Sequence, residues 1–518
     1  MKKNKLILKN MSFVSAGIMI SRILGYFRDM LVAKMFGAGF YGDAFYAAFR
    51  IPNLFRRLFG ENSLNAAFVP VLSEYMLKDT KERTEEFLSV ISTVMVGILS
   101  VLTILGVLFA VPLIKLITWG FPEEKIFLTA KLLQIMFPYM IFICLAALGL
   151  SILNCLKIFF IPAISSSSLS IAEIIFILFV AVYLPEEKRI FGLALSVLVG
   201  GMLQLCINFA FVSKHYKITL NFKKFFYYLT LPEVKRVYLL FLPVVVGFST
   251  DQINALVDTL CASFLKEGSI SALYYSNRLM QLPLALFAIS LTTVVLPQMS
   301  QEVATLDYDE LKETVIHSLR NILFFILPAS IGLVILGKDI IKTLFEYGKF
   351  TKTATLMTYS CLAFYSLGLL FFSVSKVFTI AFYALKKPDY PVKVSMKMVV
   401  LNAILNVILM QFLEVGGLAL ATSLASFVAT ILLYVELKKI ININFSSIKS
   451  LLFKTFLANA VFILFLFIIK TIIQNSYIVT FLGVTSGVFV YFMTTKILKI
   501  EETQIITSFL RKFLQIYG

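Results

Sequence analysis

The strongest constraint on the fold is a series of long apolar runs that recur along almost the whole chain. Each run has about 20 residues or more, the length that a helix needs to cross the hydrocarbon core of a bilayer. Hydrophobic residues make up 59% of the 518 residues and charged residues 15%, which excludes an ordinary soluble protein and a disordered chain. We predict an all-α polytopic membrane protein with about fourteen transmembrane helices. The predicted spans are 11–36, 43–75, 87–117, 127–154, 162–184, 190–213, 236–264, 269–297, 315–337, 354–384, 391–412, 416–437, 452–472 and 477–495.

The charges of the connecting loops predict how the spans are oriented. Lys and Arg concentrate in every second loop, as in residues 214–235, whereas the alternating loops, such as WGFPEEK and FLKEGS, are short or balanced. Because positively charged loops stay in the cytoplasm, we expect a multi-pass protein of the plasma membrane with both termini cytoplasmic. The net charge of +18 then indicates contact with anionic membrane lipids. No nucleic-acid-binding pattern accompanies it, so we predict no nucleic-acid partner.

An internal repeat predicts two similar halves. Residues 29–73 contain the series Asp29, Ala33, Tyr46, Arg50, Pro70, Ser73, and residues 258–300 contain Asp258, Ala262, Tyr274, Arg278, Pro297, Ser300. Successive separations agree to within one residue, and the matched spans are six apart, which preserves their orientation. We therefore predict two six-helix lobes related by a pseudo-two-fold axis along the membrane normal. The predicted division is residues 1–225, residues 226–440, and residues 441–518 with spans thirteen and fourteen and an amphipathic cytoplasmic tail over 501–517.

Charged side chains inside the first two spans are the main indication of function. A charge at the bilayer centre costs roughly 2.5–3.5 kcal/mol on insertion scales, so such residues usually face a bundle interior or a wet cavity. Asp43, Arg50 and Arg57 recur every seven residues and share one helical face. The net sign is positive, which predicts an anionic ligand, and the planar fork of Arg suits phosphate. The full set is Arg22, Arg28, Asp29, Asp43, Arg50, Arg56, Arg57 and Glu61. A simpler interpretation, in which Arg56, Arg57 and Glu61 pair with each other or reach the interface, stays open.

Three segments resemble a known family. SRILGYFRD, GDAFYAAFRIPNLFRRLFGENSLNAAFVPVLSEY and YYSNRLMQLPLALFAISLTTVVLPQMS resemble the MurJ (MviN) lipid II flippases, which belong to the multidrug/oligosaccharidyl-lipid/polysaccharide exporter superfamily. The resemblance implies a central cationic cavity and a bacterial inner-membrane flippase. Its substrate would be lipid II, an undecaprenyl-pyrophosphate-linked disaccharide-pentapeptide, moved from the inner to the outer leaflet by alternating access. The resemblance also implies that substrate binding uses Arg22, Arg28, Asp29, Arg56, Glu61 and Arg278, with Asp43 and Arg50 at charged family positions. One departure is Asn277, where related sequences can have Asp.

The energy source is predicted to be an ion or the membrane potential. No Walker A sequence occurs, which argues against an ATP-driven pump. A carboxylate on Asp258, amide oxygens on Asn402 and Asn406, and the hydroxyl of Thr422 would suit Na⁺, and similar flippases place a sodium site in this region. A proton on Asp258 is an equal alternative, and the two asparagines could instead make only interhelical hydrogen bonds. No other cofactor is predicted.

The same residues argue against two other functions. A drug exporter would favour an acidic, aromatic cavity, and the Arg-rich face argues against it. A membrane enzyme would need converging carboxylates near a membrane surface, but the loops offer only scattered acids such as Asp307, Asp309 and Glu310. We therefore predict a transporter without catalytic residues. A flippase for another polyprenyl-pyrophosphate-linked oligosaccharide stays open, and so does a non-transporting scaffold that recruits cell-wall synthesis enzymes.

Overall fold

A computed structural model describes the backbone of residues 2–61, 63–442 and 446–504. Within these ranges the side chains are described except at residues 2–16, 18, 59–61, 63, 65–66, 243–244, 246–248 and 446–447. The side chain of Glu61 and residues 505–517 of the predicted tail helix therefore lie outside the described part of the chain. Over the described residues the protein is helical and contains no strand, as predicted.

Over the described residues, each predicted span falls on one helix or on consecutive helical segments. The α-helices of the described residues are α1 (Lys2–Phe36), α2 (Phe40–Phe55), α3 (Ser63–Lys78), α4 (Lys81–Leu108), α5 (Ala110–Ile117), α6 (Glu123–Met136), α7 (Tyr139–Cys155), α8 (Phe160–Ser165), α9 (Ser168–Ile175), α10 (Glu186–Val212), α11 (Phe225–Leu229), α12 (Pro232–Ser263), α13 (Ser269–Pro283), α14 (Ser290–Ala304), α15 (Tyr308–Phe345), α16 (Lys352–Ala384), α17 (Asp389–Ile441), α18 (Ser446–Ile472) and α19 (Ser476–Ile497). Three π-helical turns join some of them: Arg56–Glu61, Phe176–Val180 and Leu284–Ile289.

Ten helical segments of the described residues are long and apolar enough to cross a membrane. The predicted spans at 11–36, 43–75 and 236–264 fall on α1, α2–α3 and α12, which lie outside these ten and carry most of the predicted ligand residues. Helix α17 covers two predicted spans. Its 53 residues would be about 80 Å long at 1.5 Å per residue, which is enough for two membrane crossings. Glu414, with φ 49° and ψ −134°, interrupts it, so the predicted number of spans is accounted for.

Helix boundaries follow the internal repeat and extend it beyond the first two spans. Helices α4, α6 and α8 begin at Lys81, Glu123 and Phe160, and their counterparts α15, α16 and α17 begin at Tyr308, Lys352 and Asp389. The offset between matched helix starts is nearly constant and agrees with the offset between Asp29 and Asp258. The π-helical turns after α2 and α13 repeat with nearly the same offset. The two halves therefore share the helix pattern as well as the few matching residues.

The chain divides into two compact units, Met1–Ile270 and Ser271–Gly518. In the first unit α2 packs on α6, α7 and α9 pack on α10, and α12 packs on α3. In the second unit α16 packs between α15 and α17. By sequence α12 is the first helix of the second repeat, yet most of its packing places it in the first unit. The predicted three-part division at residues 225 and 440 stays a prediction.

Predicted spans thirteen and fourteen, now α18 and α19, pack on α15 within the second unit. Tyr491 donates a hydrogen bond to the Phe324 carbonyl at 2.7 Å in the shared apolar core. Lys470 pairs with Asp339 at 3.0 Å. Arg320 pairs with Glu501 and Glu502, each at 2.6 Å, and we name these three residues the Arg320 clasp.

Residues 214–231, which connect the two repeats, form a strap that lies along α4. The backbone N–H groups of Lys217, Thr219 and Asn221 donate to the side chains of Glu85, Ser89 and Thr93, respectively. Alternate residues of an extended chain advance about 6.6 Å and four residues of a helix advance about 6 Å, so the two spacings match. The next position on this face of α4 is Gly97, and a Cβ there would lie 2.2 Å from the Phe225 ring. A side chain at residue 97 would therefore displace the ring.

Candidate substrate-binding site

Arg28 and Asp29 of α1 form a buried ionic cluster with Glu173 of α9. Arg28 donates to Asp29 Oδ1 from Nε at 3.0 Å and from Nη2 at 2.6 Å. The same Nε lies 3.6 Å from Glu173 Oε2. The exposed fractions of the three residues are 8%, 1% and 3%. Because charges in such surroundings depend on close partners, we treat the three residues as one unit and name it the Arg28 cluster.

Glu173 is a site residue that the sequence analysis missed. It is the one charged residue between Phe160 and Tyr183, and a lone carboxylate inside a membrane span is itself a functional signal. That signal was in the sequence, but the partner was not, because α1 and α9 meet only in the folded protein. The π-helical turn at residues 176–180 directly follows α9, and such turns often occur near functional sites.

Arg22 lies apart from this cluster on the surface of α1. The residue is exposed, whereas Asp29, seven residues further along the same helix, is buried. An exposed cation on a predicted span reaches either a wet cavity or the interface. The structure therefore separates Arg22 from the buried part of the predicted ligand set.

Asp43 of α2 joins three segments of the first unit. Its Oδ2 accepts hydrogen bonds from Lys125 Nζ at 3.2 Å and from the Gly268 N–H at 2.7 Å. Both Asp43 and Lys125 are 1% exposed, and the Lys125 ammonium also lies 4.3 Å from the centroid of the Phe121 ring. Gly268 has φ +95°, a conformation that suits glycine. Asp43 thus fixes the loop between α12 and α13, a contact that the predicted ligand role did not include.

Lys125 is a second residue that the sequence analysis missed. It stands in the segment WGFPEEK, which was interpreted only as a balanced loop between spans three and four. The structure places it in the first turn of α6, buried beside α2. The signal available in the sequence was weak, because one Lys after two Glu residues resembles any solvated helix start.

Arg50 of α2 reaches α12. Its Nε donates to the Thr259 hydroxyl at 3.2 Å. Thr259 is buried, and the neighbouring Asp258, the predicted ion ligand, is 9% exposed. A second contact to the same end of α12 is the hydrogen bond from the Gly120 N–H to the Ser263 hydroxyl at 3.0 Å. Arg50, a member of the predicted charged face of α2, therefore contacts the helix that carries Asp258.

Arg56 and Arg57 open the π-helical turn that follows α2. Pro52 lies inside α2 and lacks an N–H group, which disturbs the helical ladder around it. Arg56 Nε donates to Asn53 Oδ1 at 3.0 Å, and both arginines are half-buried. A π-helical turn alters the direction in which the following side chains project. The simpler interpretation, that Arg56, Arg57 and Glu61 pair with each other or reach the interface, stays a prediction.

The remaining predicted residues belong to the second unit. Arg278 is half-buried on α13, and the neighbouring Asn277 accepts a hydrogen bond from Gln281 Nε2. Asn402 and Asn406 are both fully buried in the first part of α17. The Thr422 hydroxyl donates to the Leu418 carbonyl of its own helix at 3.1 Å. Their predicted roles as ligands stay predictions.

Comparisons with known proteins agree on one family. A family model described as "Lipid II flippase MurJ" matches residues 32–493. The probable lipid II flippase MurJ of Buchnera aphidicola subsp. Baizongia pistaciae is 37% identical over 473 residues, which is 91% of either chain. A solved structure of a lipid II flippase MurJ in an inward closed conformation gives a TM-score of 0.79 at 30% identity, covering 93% of this chain and 98% of that chain. An inward-facing multidrug resistance transporter of the MATE family gives 0.67 at 12% identity, covering 84% of this chain and 98% of that chain, a likeness of fold alone.

Proposed function

Because the chain belongs to the MurJ family of lipid II flippases, we propose that it moves lipid II across the plasma membrane by alternating access. The match over residues 32–493 is the observation that carries this proposal. The apolar helices make it a multi-pass membrane protein. The direction is from the inner to the outer leaflet, so that peptidoglycan synthesis outside the membrane receives its precursor.

The arginines of the candidate site bind the pyrophosphate of the substrate. A pyrophosphate carries several anionic oxygens and is held best by convergent, forked donors. The proposed binding residues are Arg22, Arg28, Asp29, Asp43, Arg50, Arg56, Arg57, Glu61 and Arg278. Within this set Arg28 is already held by acidic partners, so substrate binding exchanges a carboxylate for a phosphate on the same guanidinium. Such an exchange lets the site bind and later release an anion without leaving a buried arginine unpaired.

The protein acts as a transporter, and we assign it no catalytic residue. The undecaprenyl tail of the substrate is apolar and needs no aqueous path, so only the polar head group must pass the charged interior. Alternating access then requires the head-group site to open to each leaflet in turn. Two contacts connect α2 of the first repeat to the start of the second repeat. Asp43 accepts a hydrogen bond from Gly268, in the loop after α12, and Arg50 donates one to Thr259 of α12. We propose that opening the site to the outer leaflet breaks them.

The coupling ion is a separate part of the proposal. Na⁺ would be held by Asp258, Asn402, Asn406 and Thr422, with a proton on Asp258 or the membrane potential alone as alternatives. The buried amides of Asn402 and Asn406 and the buried carboxylate of Asp258 support a hard cation. Transport into proteoliposomes separates the three cases, since a sodium gradient, a pH gradient or an imposed potential can each be applied alone. Asp258→Asn should abolish dependence on either ion.

The surroundings of the protein complete the proposal. We place both termini in the cytoplasm of a bacterium, from the loop charges. The strap exposes Lys217, Lys223 and Lys224 and contains no acidic residue between 214 and 231, which supports contact with anionic lipids of the inner leaflet. Cell-wall synthesis enzymes are further proposed partners.

The test replaces the native flippase of a bacterium with this chain. Cells depleted of their own lipid II flippase would express it, and a membrane-impermeant reagent would report how much lipid-linked precursor is accessible outside. We expect accessibility to return with the native chain and to be lost with Arg28→Ala. Arg83→Ala is the matched control, because Arg83 is exposed at the start of α4, and it should behave like the native chain.

The same experiment separates the other two functions. A well-expressed, correctly inserted protein that restores no accessibility of lipid II would direct attention to another polyprenyl-pyrophosphate-linked oligosaccharide, tested in the same way. A scaffold without transport predicts that growth is restored while accessibility is not. Growth and accessibility that fall together in Arg28→Ala would contradict the scaffold.

A further inference from the structure

Glu173 enters the proposed function only as an acidic partner of Arg28, although its position is costly. It is 3% exposed inside a helical segment whose other residues carry no charge. A carboxylate in such a position is retained only where it has a specific partner. The charged groups that face it among the described residues are Arg28 at 3.6 Å and Asp29, which lies on the same helix as Arg28.

Neutralising Arg28 does not require Glu173. Asp29 already accepts hydrogen bonds from Nε and Nη2 of Arg28, at 3.0 and 2.6 Å. Glu173 adds a second carboxylate to the same guanidinium, so the cluster holds two acids for one arginine. A second buried negative charge adds a desolvation cost of its own. Because one carboxylate already neutralises the guanidinium, this cost indicates that Glu173 competes for the arginine rather than serving only as a structural counter-charge.

The internal repeat provides an independent comparison. Asp29 matches Asp258, so Arg28 matches Val257. The starts of α8 and α17 are separated by the same offset, so Glu173 matches Asn402. The second half keeps the aspartate but lacks both the arginine and the second carboxylate. Arg28 and Glu173 are thus present together in one half and absent together in the other, which indicates that they work as a pair.

We propose that Glu173 is a positioning residue that competes with the substrate's pyrophosphate for Arg28. It holds Arg28 with Asp29 while the site is empty, yields the guanidinium when the pyrophosphate arrives, and recaptures it to help release the anion on the other side. The inference rests on the proposed function, in which Arg28 binds the pyrophosphate and lipid II carries it. The competition itself concerns any ligand with a pyrophosphate group.

The proposal predicts opposite changes in binding and turnover. In Glu173→Gln the competing charge is lost, so a pyrophosphate ligand should bind about three- to tenfold more tightly. Release should slow by a similar factor, so that KM and kcat fall together. A residue that only supports the fold would instead lower the yield of folded protein or the rate, without tightening the binding of the ligand.

The experiment uses the purified full chain and a short-chain polyprenyl pyrophosphate as the binding probe. Its affinity would be measured for the native chain, Glu173→Gln, Glu173→Asp and the control Glu187→Gln, whose residue is exposed at the start of α10. Transport of labelled lipid II in proteoliposomes would give KM and kcat. Glu173→Asp keeps the competing charge on a shorter side chain, so its affinity should lie between those of the native chain and Glu173→Gln. A second background, Arg28→Gln, tests the pairing, because there Glu173→Gln should leave the affinity unchanged.

Each outcome decides a different claim. Tighter probe binding in Glu173→Gln that disappears in the Arg28→Gln background supports the competition. Equal or weaker binding in a folded Glu173→Gln protein overturns it. If Glu173→Gln does not fold, Glu173→Asp carries the test, since a shorter arm should hold Arg28 less well and still tighten binding slightly, and native or weaker affinity would overturn the proposal. A native chain that binds the probe but does not move lipid II would contradict the proposed substrate. The binding measurements would then still test whether Glu173 competes with pyrophosphate for Arg28.

Discussion

Lys125 Nζ lies 3.2 Å from Asp43 Oδ2, and both side chains are buried. The pair links the start of α6 to the first turn of α2, and the Gly268 N–H shares the same carboxylate oxygen. A buried ion pair contributes little net stability compared with apolar residues, but removing one partner leaves the other charge without compensation. This asymmetry gives the first prediction.

Lys125→Met should destabilise the protein by about 3–5 kcal/mol, because the Asp43 carboxylate stays buried without its cation. Thermal unfolding in detergent would show this as a clearly lower Tm. The double variant Lys125→Met with Asp43→Asn should recover much of the loss. Lys439→Met, which removes an exposed pair with Glu436, is the control and should change stability by less than about 1 kcal/mol. Equal Tm values for Lys125→Met and Lys439→Met would show that burial of the Lys125–Asp43 pair does not increase the cost of removing its lysine.

Gly97→Leu should lift the strap from α4. A side chain at residue 97 would occupy the place of the Phe225 ring, and the hydrogen bonds from Lys217, Thr219 and Asn221 would loosen with it. Trypsin should then cleave after Lys223 and Lys224 at least several-fold faster than in the native chain. Val101→Leu places the same side chain at an exposed position of the same helix and should leave the cleavage rate unchanged. An unaltered rate in Gly97→Leu would mean that the strap is not held by this face.

Glu414→Gly should raise the Tm. Glu414 has φ 49° and ψ −134°, close to the first central position of a type II′ turn, where glycine is favoured. A non-glycine residue there stores about 1–3 kcal/mol of backbone strain, which exceeds the ~0.5–1 kcal/mol that glycine costs through its flexibility. Glu436→Gly, in the regular part of α17, should lower the Tm instead. The two changes remove the same side chain, so only the local surroundings separate their effects.

Arg320→Ala should release the segment that follows α19. The change leaves Glu502, which is 5% exposed, without the guanidinium that now lies 2.6 Å away. We expect a lower Tm and faster proteolysis after Lys499, measured by mass spectrometry of the fragments. Arg320→Lys keeps the charge but not the two-armed geometry that reaches both Glu501 and Glu502, so its effect should be intermediate. Native protease resistance in Arg320→Ala would contradict a role for the Arg320 clasp.

The sequence alone was sufficient for the architecture, because bilayer thickness imposes a length and composition on each span. The same physics marked Arg28 and Asp29 as unusual, since charges inside a span are costly. The repeat was visible from Asp29 and Asp258 onward, and helix boundaries later extended it to spans nine to eleven. Local patterns thus predict which residues are exceptional.

Partnerships were harder to predict, since they depend on which helices touch. Glu173 meets Arg28, and Lys125 meets Asp43, although the members of each pair lie on helices that are far apart in the chain. Nothing in the periodicity of either segment specifies the other. The sequence marked residues 214–235 only as a basic loop, and the register of the strap on α4 arises from the match between extended and helical spacings. Predicting that register requires knowing that the two segments are adjacent.

The docked strap also limits how far the two repeats can travel apart at their covalent connection. A free connection over residues 214–231 could extend to about 60 Å, at roughly 3.3 Å for each residue. With residues 217–225 fastened along α4, the slack that remains before α12 is only residues 226–231, or about 20 Å. The start of α12 is therefore connected to the first repeat by only a short segment. A displacement of the start of α12 by more than this length would first have to break the contacts between the strap and α4.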